Sequence, residues 1–314
     1  MPTIDVAVVA YNHFELTQSC LEHLERQTRE FNLLVCDNGS TDGTAERVAE
    51  RWPLAKVSRL ETNHGFATAC NTAVGLGSAD YLVLMNNDVD CRPDFLERVV
   101  APLENDADVA SVASLMVRPD GERIDSIGLT ADATLSPFPR HTGRPIGEAA
   151  DERPVLLGPA GTAAAYRRSA WDALGGLDER IHAYGEDFDL VVRLRAAGWK
   201  TAAAPDAVGI HLGSATYGHR SRRQRQYGGF GRAYLMRRYG LLKRREAART
   251  ALTEAIVVAG DAVISRDLAA LQGRIAGWRA ARDLPKLAFP PPEAIDHDIA
   301  FREAIDRRRG VYSQ

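Results

Sequence analysis

The chain has 314 residues, of which 45% are hydrophobic and 26% charged, so disorder, collagen and coiled coil are excluded as descriptions of the whole. The net charge is −3 at pH 7, yet residues 218–250 hold eleven Lys or Arg against one Glu, which indicates an anionic partner. No apolar run reaches the roughly 18 residues of a membrane span, and no basic leader precedes the first apolar run, so we expect neither a membrane helix nor a signal peptide.

Strand and helix patterns alternate along the first part of the chain. Short β-rich runs predict strands over residues 3–10, 32–36, 55–60, 81–85 and 109–116. Helical spacing and helix-favouring composition predict helices over residues 16–24, 44–52, 66–74 and 93–103. This alternation predicts βαβ units and an α/β fold, with a mostly parallel, Rossmann-like central sheet flanked by helices.

The second part of the chain is regular only in places. Residues 118–154 are rich in Pro, Gly and Thr and predict loops with short strands that face an acceptor. A strong helix is predicted over residues 186–197. Further helices are predicted over residues 232–239, 245–264 and 268–282. We therefore predict a catalytic domain over residues 1–217, followed by a basic loop and a helical region over residues 218–314.

Asp37 and Asp88 each lie just past an apolar strand, and in parallel sheets such strand ends share the rim where ligands bind. A carboxylate at the position of Asp37 accepts hydrogen bonds well, for instance from the imide N–H of uracil or thymine. Asp88 suits a hard cation such as Mg²⁺ when substrate phosphates supply other ligands. A polar turn is the alternative for Asp88, and we interpret residues 40–42 as a turn that caps the next helix.

Glu186 and Asp187 follow an aromatic residue and a glycine, an arrangement that fits a positioned general base. Acids at a helix start also complement the helix dipole, so that alternative stays open. His211 follows a strand-like stretch. It fits a neutral metal ligand, with a core histidine as the alternative.

In chain order, these segments resemble family-two glycosyltransferases with the A-type nucleotide-sugar fold. The resemblance covers about residues 3–240 and is most similar to bacterial rhamnosyltransferase-like members, which build cell-wall linkers or surface polysaccharides from dTDP-rhamnose. The segments that carry it are VVAYN, CDNGSTDGT, NHGFATACN, LMNNDVD, GLDE, GEDFDLVVRLRAAGW and HLGS.

This resemblance implies an inverting hexosyltransferase. The residues that it implies for nucleotide-sugar binding are Ala10, Tyr11, Asn12, Asp37, Asn63, Gly65, Asn71, Asn86, Asn87 and Asp88. It implies Mg²⁺ or Mn²⁺ on Asp88 and His211, and Asp187, supported by Glu186, as the base. Arginines of residues 218–232 are expected to form a mobile loop that closes over the diphosphate.

The chain departs from the family pattern at Asn86, which replaces the first Asp of the Asp-x-Asp motif and leaves the strictness of the metal requirement open. The sequence also lacks the Gln-x-x-Arg-Trp signature of processive synthases.

Transfer of L-rhamnose from dTDP-rhamnose is the favoured function. A UDP-sugar transferase (galactosyl, galactofuranosyl or N-acetylglucosaminyl) and a non-catalytic nucleotide-sugar-binding protein are the alternatives. The first turn lacks the Gly-x-Gly-x-x-Gly of dinucleotide-dependent oxidoreductases.

The expected partners are a dTDP- or UDP-linked donor and a glycan or polyprenol-linked acceptor, without nucleic acid. A homodimer through the helical region is left open. Leu235, Met236, Leu241 and Leu242 alternate with basic residues. This pattern suits an interfacial helix, with a solvated basic face as the alternative, and predicts a cytoplasmic protein peripheral to the inner membrane face. Cysteines 20, 36, 70 and 91 lack metal spacing and predict reduced, mostly buried thiols.

Overall fold

The computed structural model describes residues 3–213 and 221–308. Strands and helices alternate in the first part of the chain, as predicted. The elements are β1 (Ile4–Ala10), α1 (Phe14–Leu24), β2 (Asn32–Asp37), α2 (Thr44–Arg51), β3 (Lys56–Arg59), α3 (Phe66–Val74), β4 (Tyr81–Asn86), β5 (Val89–Cys91), α4 (Phe95–Asn105) and β6 (Val109–Val117). All seven residues of β1 are buried, which explains its continuous apolar sequence, because a strand covered on both faces does not alternate.

The second part adds short strands and then helices. The elements are β7 (Ile124–Ser126), β8 (Leu129–Ala131), β9 (Pro137–Pro139), β10 (Ala163–Arg167), α5 (Arg168–Leu174), α6 (Glu186–Ala196), β11 (Lys200–His211), α7 (Arg222–Arg238), α8 (Ala247–Ser265), α9 (Ala269–Ala280) and α10 (Phe301–Arg308). Within the described ranges, no helix combines the length and the apolarity needed to cross a bilayer.

The central sheet has the strand order β3-β2-β1-β4-β10-β6-β11-β5, and β7 pairs with β6 outside this path. The first four strands are parallel to one another, and β6 is parallel to β11. Strand β10 runs antiparallel to β4 and β6, so the sheet is mixed. The predicted α/β fold with a sheet flanked by helices is thus confirmed, but the sheet is not mostly parallel, because four of its eight described strand pairings are antiparallel. Strands β5 and β10 are those of the central sheet that no sequence pattern indicated.

Helices cover both faces of the sheet. One core is built on α1, α2 and α4, and the other on α3, α5 and α6. A third core joins α6 and β8 to α7 and to the segment after α9, so the helical carboxyl-terminal region packs directly on the sheet domain. The domain boundary at residue 217 stays a prediction.

Helix α7 begins ten residues earlier than the predicted helix at Arg232. The Ser221 hydroxyl accepts a hydrogen bond from the Gln224 N–H (3.1 Å) and caps the first turn. Helix α7 packs closely on α9 through glycine. A Cβ at Gly273 or Gly277 would collide with the backbone of α7, so these positions allow the two helices to approach each other.

Candidate active site

The first wall of the site lies where β1 and β2 end side by side. Ala10 pairs with Asp37, and the half-buried Tyr11 and Asn12 follow in the turn after β1. Asp37 Oδ1 accepts the Ser40 N–H (2.7 Å), whereas its buried Oδ2 has no hydrogen-bond partner among the described residues. An acceptor atom without a protein partner therefore lies at the rim, where the sequence predicts the contact with the base.

The turns after β1 and β2 are fixed to each other. The Ser40 hydroxyl accepts the Asn12 N–H (2.7 Å), and Asn12 Oδ1 accepts the Thr41 N–H (2.9 Å). Asp42 accepts the N–H of Thr44 at the start of α2 (3.1 Å). Asp42 thus satisfies the first N–H of α2, although the N-cap residue itself is Gly43, and Asn12 holds the turn in place.

Asn38, which no sequence pattern marks as a site residue, supports the loop Asn63–Gly65. Its Oδ1 accepts the His64 N–H (2.9 Å), and its Nδ2 donates to the Gly65 carbonyl (3.3 Å). Gly65 has a φ of 95°, and a Cβ there would lie 2.6 Å from the His182 ring and carbonyl. Only glycine fits this close approach. The loop therefore lies against the segment that leads into α6.

The three residues at the end of β4 differ in their contacts. The Asn86 N–H donates to the Thr162 carbonyl (2.9 Å), and Asn87 Nδ2 donates to the Thr17 hydroxyl of α1 (2.9 Å). Asn86 Oδ1 and Asp88 Oδ1 are buried and have no hydrogen-bond partner in the described part of the chain. Buried oxygens without a partner are costly, so both atoms are candidates for ligand contact.

His211, at the end of β11, lies between two carboxylates. Its Nε2 is 3.5 Å from Asp88 Oδ2, and its Nδ1 is 2.9 Å from Asp125 Oδ2. A carboxylate on Nδ1 fixes the ring orientation and directs Nε2 towards Asp88. Burial lowers the pKa of His211, but the hydrogen bonds and charges of Asp125 and Asp88 outweigh it and raise the pKa to about 10.

The donor set at Asp88 and His211 fits a divalent cation in part. Asp88 offers a carboxylate oxygen without a described partner, and His211 offers an imidazole nitrogen once a cation displaces the proton from Nε2; both suit Mn²⁺ or Mg²⁺. In the described ranges, no group of three or more His, Cys, Asp or Glu side chains is arranged to hold a metal ion. Phosphate oxygens of a ligand would therefore have to complete the coordination.

Glu186 and Asp187 open α6 after Gly185, whose φ of 122° favours glycine. Asp187 is half-buried and accepts backbone N–H groups at 2.7 and 2.8 Å. Glu186 is buried, and its Oε2 has no hydrogen-bond partner among the residues described. Burial and the neighbouring Asp187 raise the pKa of Glu186, and burial also raises the pKa of Asp187. The pair thus has a raised proton affinity, and its role as the general base stays a prediction.

A two-residue segment connects the acidic pair to the end of β4. The Gly161 N–H donates to Asp187 Oδ2 (2.8 Å), and the neighbouring Thr162 carbonyl accepts the Asn86 N–H. Residues that are far apart in the chain are thereby brought to one rim of the sheet. The fold therefore links the predicted base to Asn86 at the end of β4, two residues before the predicted metal ligand Asp88.

Asn71 has a different environment from the other predicted donor-binding residues. Its Nδ2 donates to the Leu177 carbonyl and to Glu179 (both 2.9 Å), and its Oδ1 accepts the Leu177 N–H (3.1 Å). It also lines a surface cleft together with Gly175. These contacts tie α3 to the GLDE segment, and the ribose contact of Asn71 stays a prediction.

Part of the basic segment is neutralised within the protein, contrary to expectation, because Arg225, Arg232, Arg238 and Arg249 pair with carboxylates. Arg225 pairs with Asp267 (2.5 Å), and the buried Arg232 pairs with Glu254 (2.7 Å). The expected mobile loop is therefore wrong for residues 222–232, which form most of α7. Residues 218–220 lie outside the described residues.

The apolar residues of this segment also differ from expectation. Leu235, Met236 and Leu241 are buried in the third core, and of the four predicted residues Leu242 is exposed. The predicted interfacial helix at this place is therefore wrong, because its apolar side faces α6. All four cysteines are unpaired and buried, as predicted.

Comparison with known proteins decides the family. Residues 5–175 match the family model described as glycosyl transferase family 2. The chain belongs to this family. A relative from Mycobacterium tuberculosis, N-acetylglucosaminyl-diphospho-decaprenol L-rhamnosyltransferase, is 30% identical over 232 residues, which are 66% of this chain and 75% of that protein. The O-antigen biosynthesis protein RfbC of Myxococcus xanthus is 26% identical over 68% of this chain and 18% of its own length.

Solved structures agree on the fold of this family-2 glycosyltransferase. A mannosyltransferase from Pyrobaculum calidifontis, in complex with GDP-Man and Mn²⁺, superposes with a TM-score of 0.55 at 20% identity, over 91% of this chain and 76% of that one. The structure of GalNAc-T7 with UDP, GalNAc and Mn²⁺ superposes with a TM-score of 0.56 at 14% identity, over 81% of this chain and 55% of that one. The predictions of the A-type fold, of family two and of a glycosyltransferase are confirmed.

Proposed function

We propose that this glycosyltransferase moves L-rhamnose from dTDP-rhamnose to a hydroxyl of a polyprenol-linked glycan, with inversion at the anomeric carbon. The observation that carries the proposal is the convergence of Asp37, Asp88, His211 and Asp187 on one rim of the sheet. The choice of sugar and acceptor is supported by the activity for which the mycobacterial relative is named. A polyprenol-linked acceptor lies in a bilayer, so the activity requires contact with a membrane surface, which we place at its cytoplasmic face.

The base of the donor is proposed to bind at the ends of β1 and β2. Asp37 Oδ2 is buried and without a described partner, and an imide N–H would satisfy it. Ala10, Tyr11 and Asn12, at the end of β1, lie on one side of Asp37. The loop Asn63–Gly65, which Asn38 holds in place, lies on the other side. This site accepts thymine and uracil alike, because both present the same imide edge.

The diphosphate is proposed to bind near Asn86, Asn87 and Asp88. Asp88 and His211 would hold Mg²⁺ or Mn²⁺, which neutralises the charge that develops on the leaving diphosphate. Asp125 would act as a positioning residue, since it binds the far nitrogen of His211. The replacement of the usual first Asp by Asn86 removes one negative charge from this place.

The proposed chemical step is a single displacement. The acceptor hydroxyl oxygen forms a bond to the anomeric carbon as the bond from that carbon to the diphosphate oxygen breaks. Asp187 takes the hydroxyl proton, and its half-buried position leaves it open to an acceptor, whereas Glu186 is buried behind it. The raised proton affinity of the pair favours this transfer.

A UDP-sugar donor (galactosyl, galactofuranosyl or N-acetylglucosaminyl) is the second candidate, because Asp37 recognises an edge that uracil shares. A thermal-shift panel of dTDP, UDP, GDP and their sugars, with and without Mn²⁺, tests both candidates. The proposal expects stabilisation by dTDP-rhamnose that increases with Mn²⁺, and transfer to a polyprenol-linked acceptor. Stabilisation by GDP alone would contradict the assignment of Asp37.

A further inference from the structure

Helix α8 presents an uncharged face to the outside. Its two acids, Glu254 and Asp261, interrupt the apolar sequence 251–264, but both are turned towards the protein. Glu254 pairs with arginines of α7, α9 and α10, and Asp261 pairs with Arg225 of α7 (3.1 Å). The apolar run that is broken in the sequence is therefore unbroken on the outer side of the helix.

Exposed apolar side chains are concentrated on and beside this helix. Eleven large apolar residues are exposed in the described part of the chain, and seven of them lie within residues 242–275. They are Leu242, Leu252, Ile256, Val263, Ile264, Leu268 and Ile275. Leu252 is 53% exposed and Val263 is 77% exposed. Between them, Ala255, Ile256 and Ala259 are also exposed, so apolar residues recur on this side of α8 at helical spacing. We call the outer face of α8 from Leu252 to Ile264 the α8 surface.

The two ends of the α8 surface are basic. Lys243 and Arg245 are exposed before the helix begins, and Arg266 is exposed where it ends. An apolar centre between cationic ends complements a bilayer with anionic headgroups. A second copy of this chain is disfavoured as the occupant, because two-fold pairing of α8 in either direction places basic ends against basic ends.

Helix α7 connects the α8 surface to the candidate active site. Arg225 of α7 pairs with Asp261, and the neighbouring Gln224 forms a hydrogen bond with the Tyr184 side chain. Gly231 of α7 packs against the Tyr184 carbonyl. Tyr184 comes just before the Glu186–Asp187 pair in the chain. The α8 surface thus lies one helix away from the proposed base.

We propose that the α8 surface docks this protein on an anionic lipid bilayer. The apolar side chains enter the boundary between headgroups and acyl chains, and the basic ends contact the headgroups. The link to a lipid-linked acceptor rests on the proposed function, whereas docking itself does not. The surface differs from the segment that the sequence suggested, whose leucines are mostly internal.

Flotation of the full chain with vesicles tests the proposal. Phosphatidylcholine vesicles are compared with vesicles that also contain phosphatidylglycerol, at low and high salt. We expect binding to the anionic vesicles that falls with salt. The double variant Leu252→Glu and Val263→Glu should weaken binding at least about tenfold. Leu54→Glu, at a 96% exposed position between α2 and β3, is the matched control and should bind normally.

The basic ends are tested separately. Replacing Lys243 or Arg245 by Gln should weaken binding to anionic vesicles about fivefold for each residue. Replacing Arg26 and Arg92, which are also exposed, by Gln is the control and should leave this binding unchanged. Equal binding to neutral vesicles at every salt concentration, or no binding at all, would overturn the proposal.

Two further outcomes separate the possible failures. A dimer in solution that the glutamate variant dissociates would assign the α8 surface to a second copy and overturn bilayer docking. Transfer to a water-soluble acceptor that persists without vesicle binding would refute docking and leave the proposed function intact. Vesicle binding without transfer of any sugar would refute the proposed function and leave docking intact.

Discussion

Replacing Asp187 by Asn should abolish sugar transfer while the donor still binds. The substitution keeps the shape of the side chain but removes the group that takes the acceptor proton. General-base catalysis contributes about 10²–10⁴-fold in rate. We therefore expect kcat to fall by about that factor, which corresponds to about 2.7–5.4 kcal/mol of transition-state stabilisation.

The same substitution should have a modest cost in stability. Both carboxylate oxygens of Asp187 accept backbone N–H groups, from Gly161 and from Phe188. Asn offers one oxygen, so one of these N–H groups then faces an amide that is itself a donor. We expect a loss of about 1–3 kcal/mol in the free energy of unfolding. A denaturation curve in parallel shows whether lost activity reflects lost chemistry or lost folding.

Glu186→Gln is the matched control. Because burial and Asp187 raise the pKa of Glu186, its side chain is largely protonated near neutral pH, and Gln imitates that neutral form. We expect this variant to keep most of its turnover at neutral pH.

In the unmodified enzyme kcat/KM should fall as the pH decreases through the raised pKa of Asp187, since the protonated carboxyl cannot accept the hydroxyl proton.

Turnover is measured as released nucleoside diphosphate, and donor affinity by calorimetry. Full turnover by Asp187→Asn would refute the assignment of the base. Inactivity of Glu186→Gln combined with activity of Asp187→Asn would transfer the role to Glu186.

Three further predictions follow from separate contacts. Asp125→Asn should weaken Mn²⁺ binding by about 10–100-fold in calorimetry, because His211 loses the carboxylate that orients it; an unchanged affinity would contradict this role. Asp37→Ala should weaken free dTDP and UDP equally and leave GDP unaffected in a thermal-shift assay. Glu254→Gln should lower the free energy of unfolding by about 3–5 kcal/mol in urea, because three arginines lose their shared anion; a loss below 1 kcal/mol would show that the cluster is solvated.

Much of the sheet domain could be predicted because its signals are local. Strands β1, β2 and β4 are short, mostly apolar runs, and the turn after each of them contains Asn, Asp or Gly. Asp37 and Asp88 could be assigned to one rim for this reason alone, since parallel strands end at the same edge. Strand β10 escaped prediction because its sequence, AAAYR, has neither an apolar alternation nor a β-branched residue.

The parts that could not be predicted depend on contacts between distant residues. Asp125 lies in β7, within a stretch that has no regular sequence pattern, and its contact is with His211, which is far away in the chain. The same holds for the basic segment. Its arginines suggest an anionic partner when they are taken alone, but Glu254, Asp261 and Asp267 supply the counter-charges of Arg225 and Arg232 from α8 and the turn after it.

The central claim is that one rim of the sheet binds the base, the diphosphate and the acceptor hydroxyl together. A crystal structure with dTDP-rhamnose and Mn²⁺ tests it most directly. We expect the thymine imide on Asp37, the cation on Asp88 and His211, and the anomeric carbon facing Asp187. A nucleotide bound at any other place, such as the cleft beside Asn71 and Glu179, would contradict it.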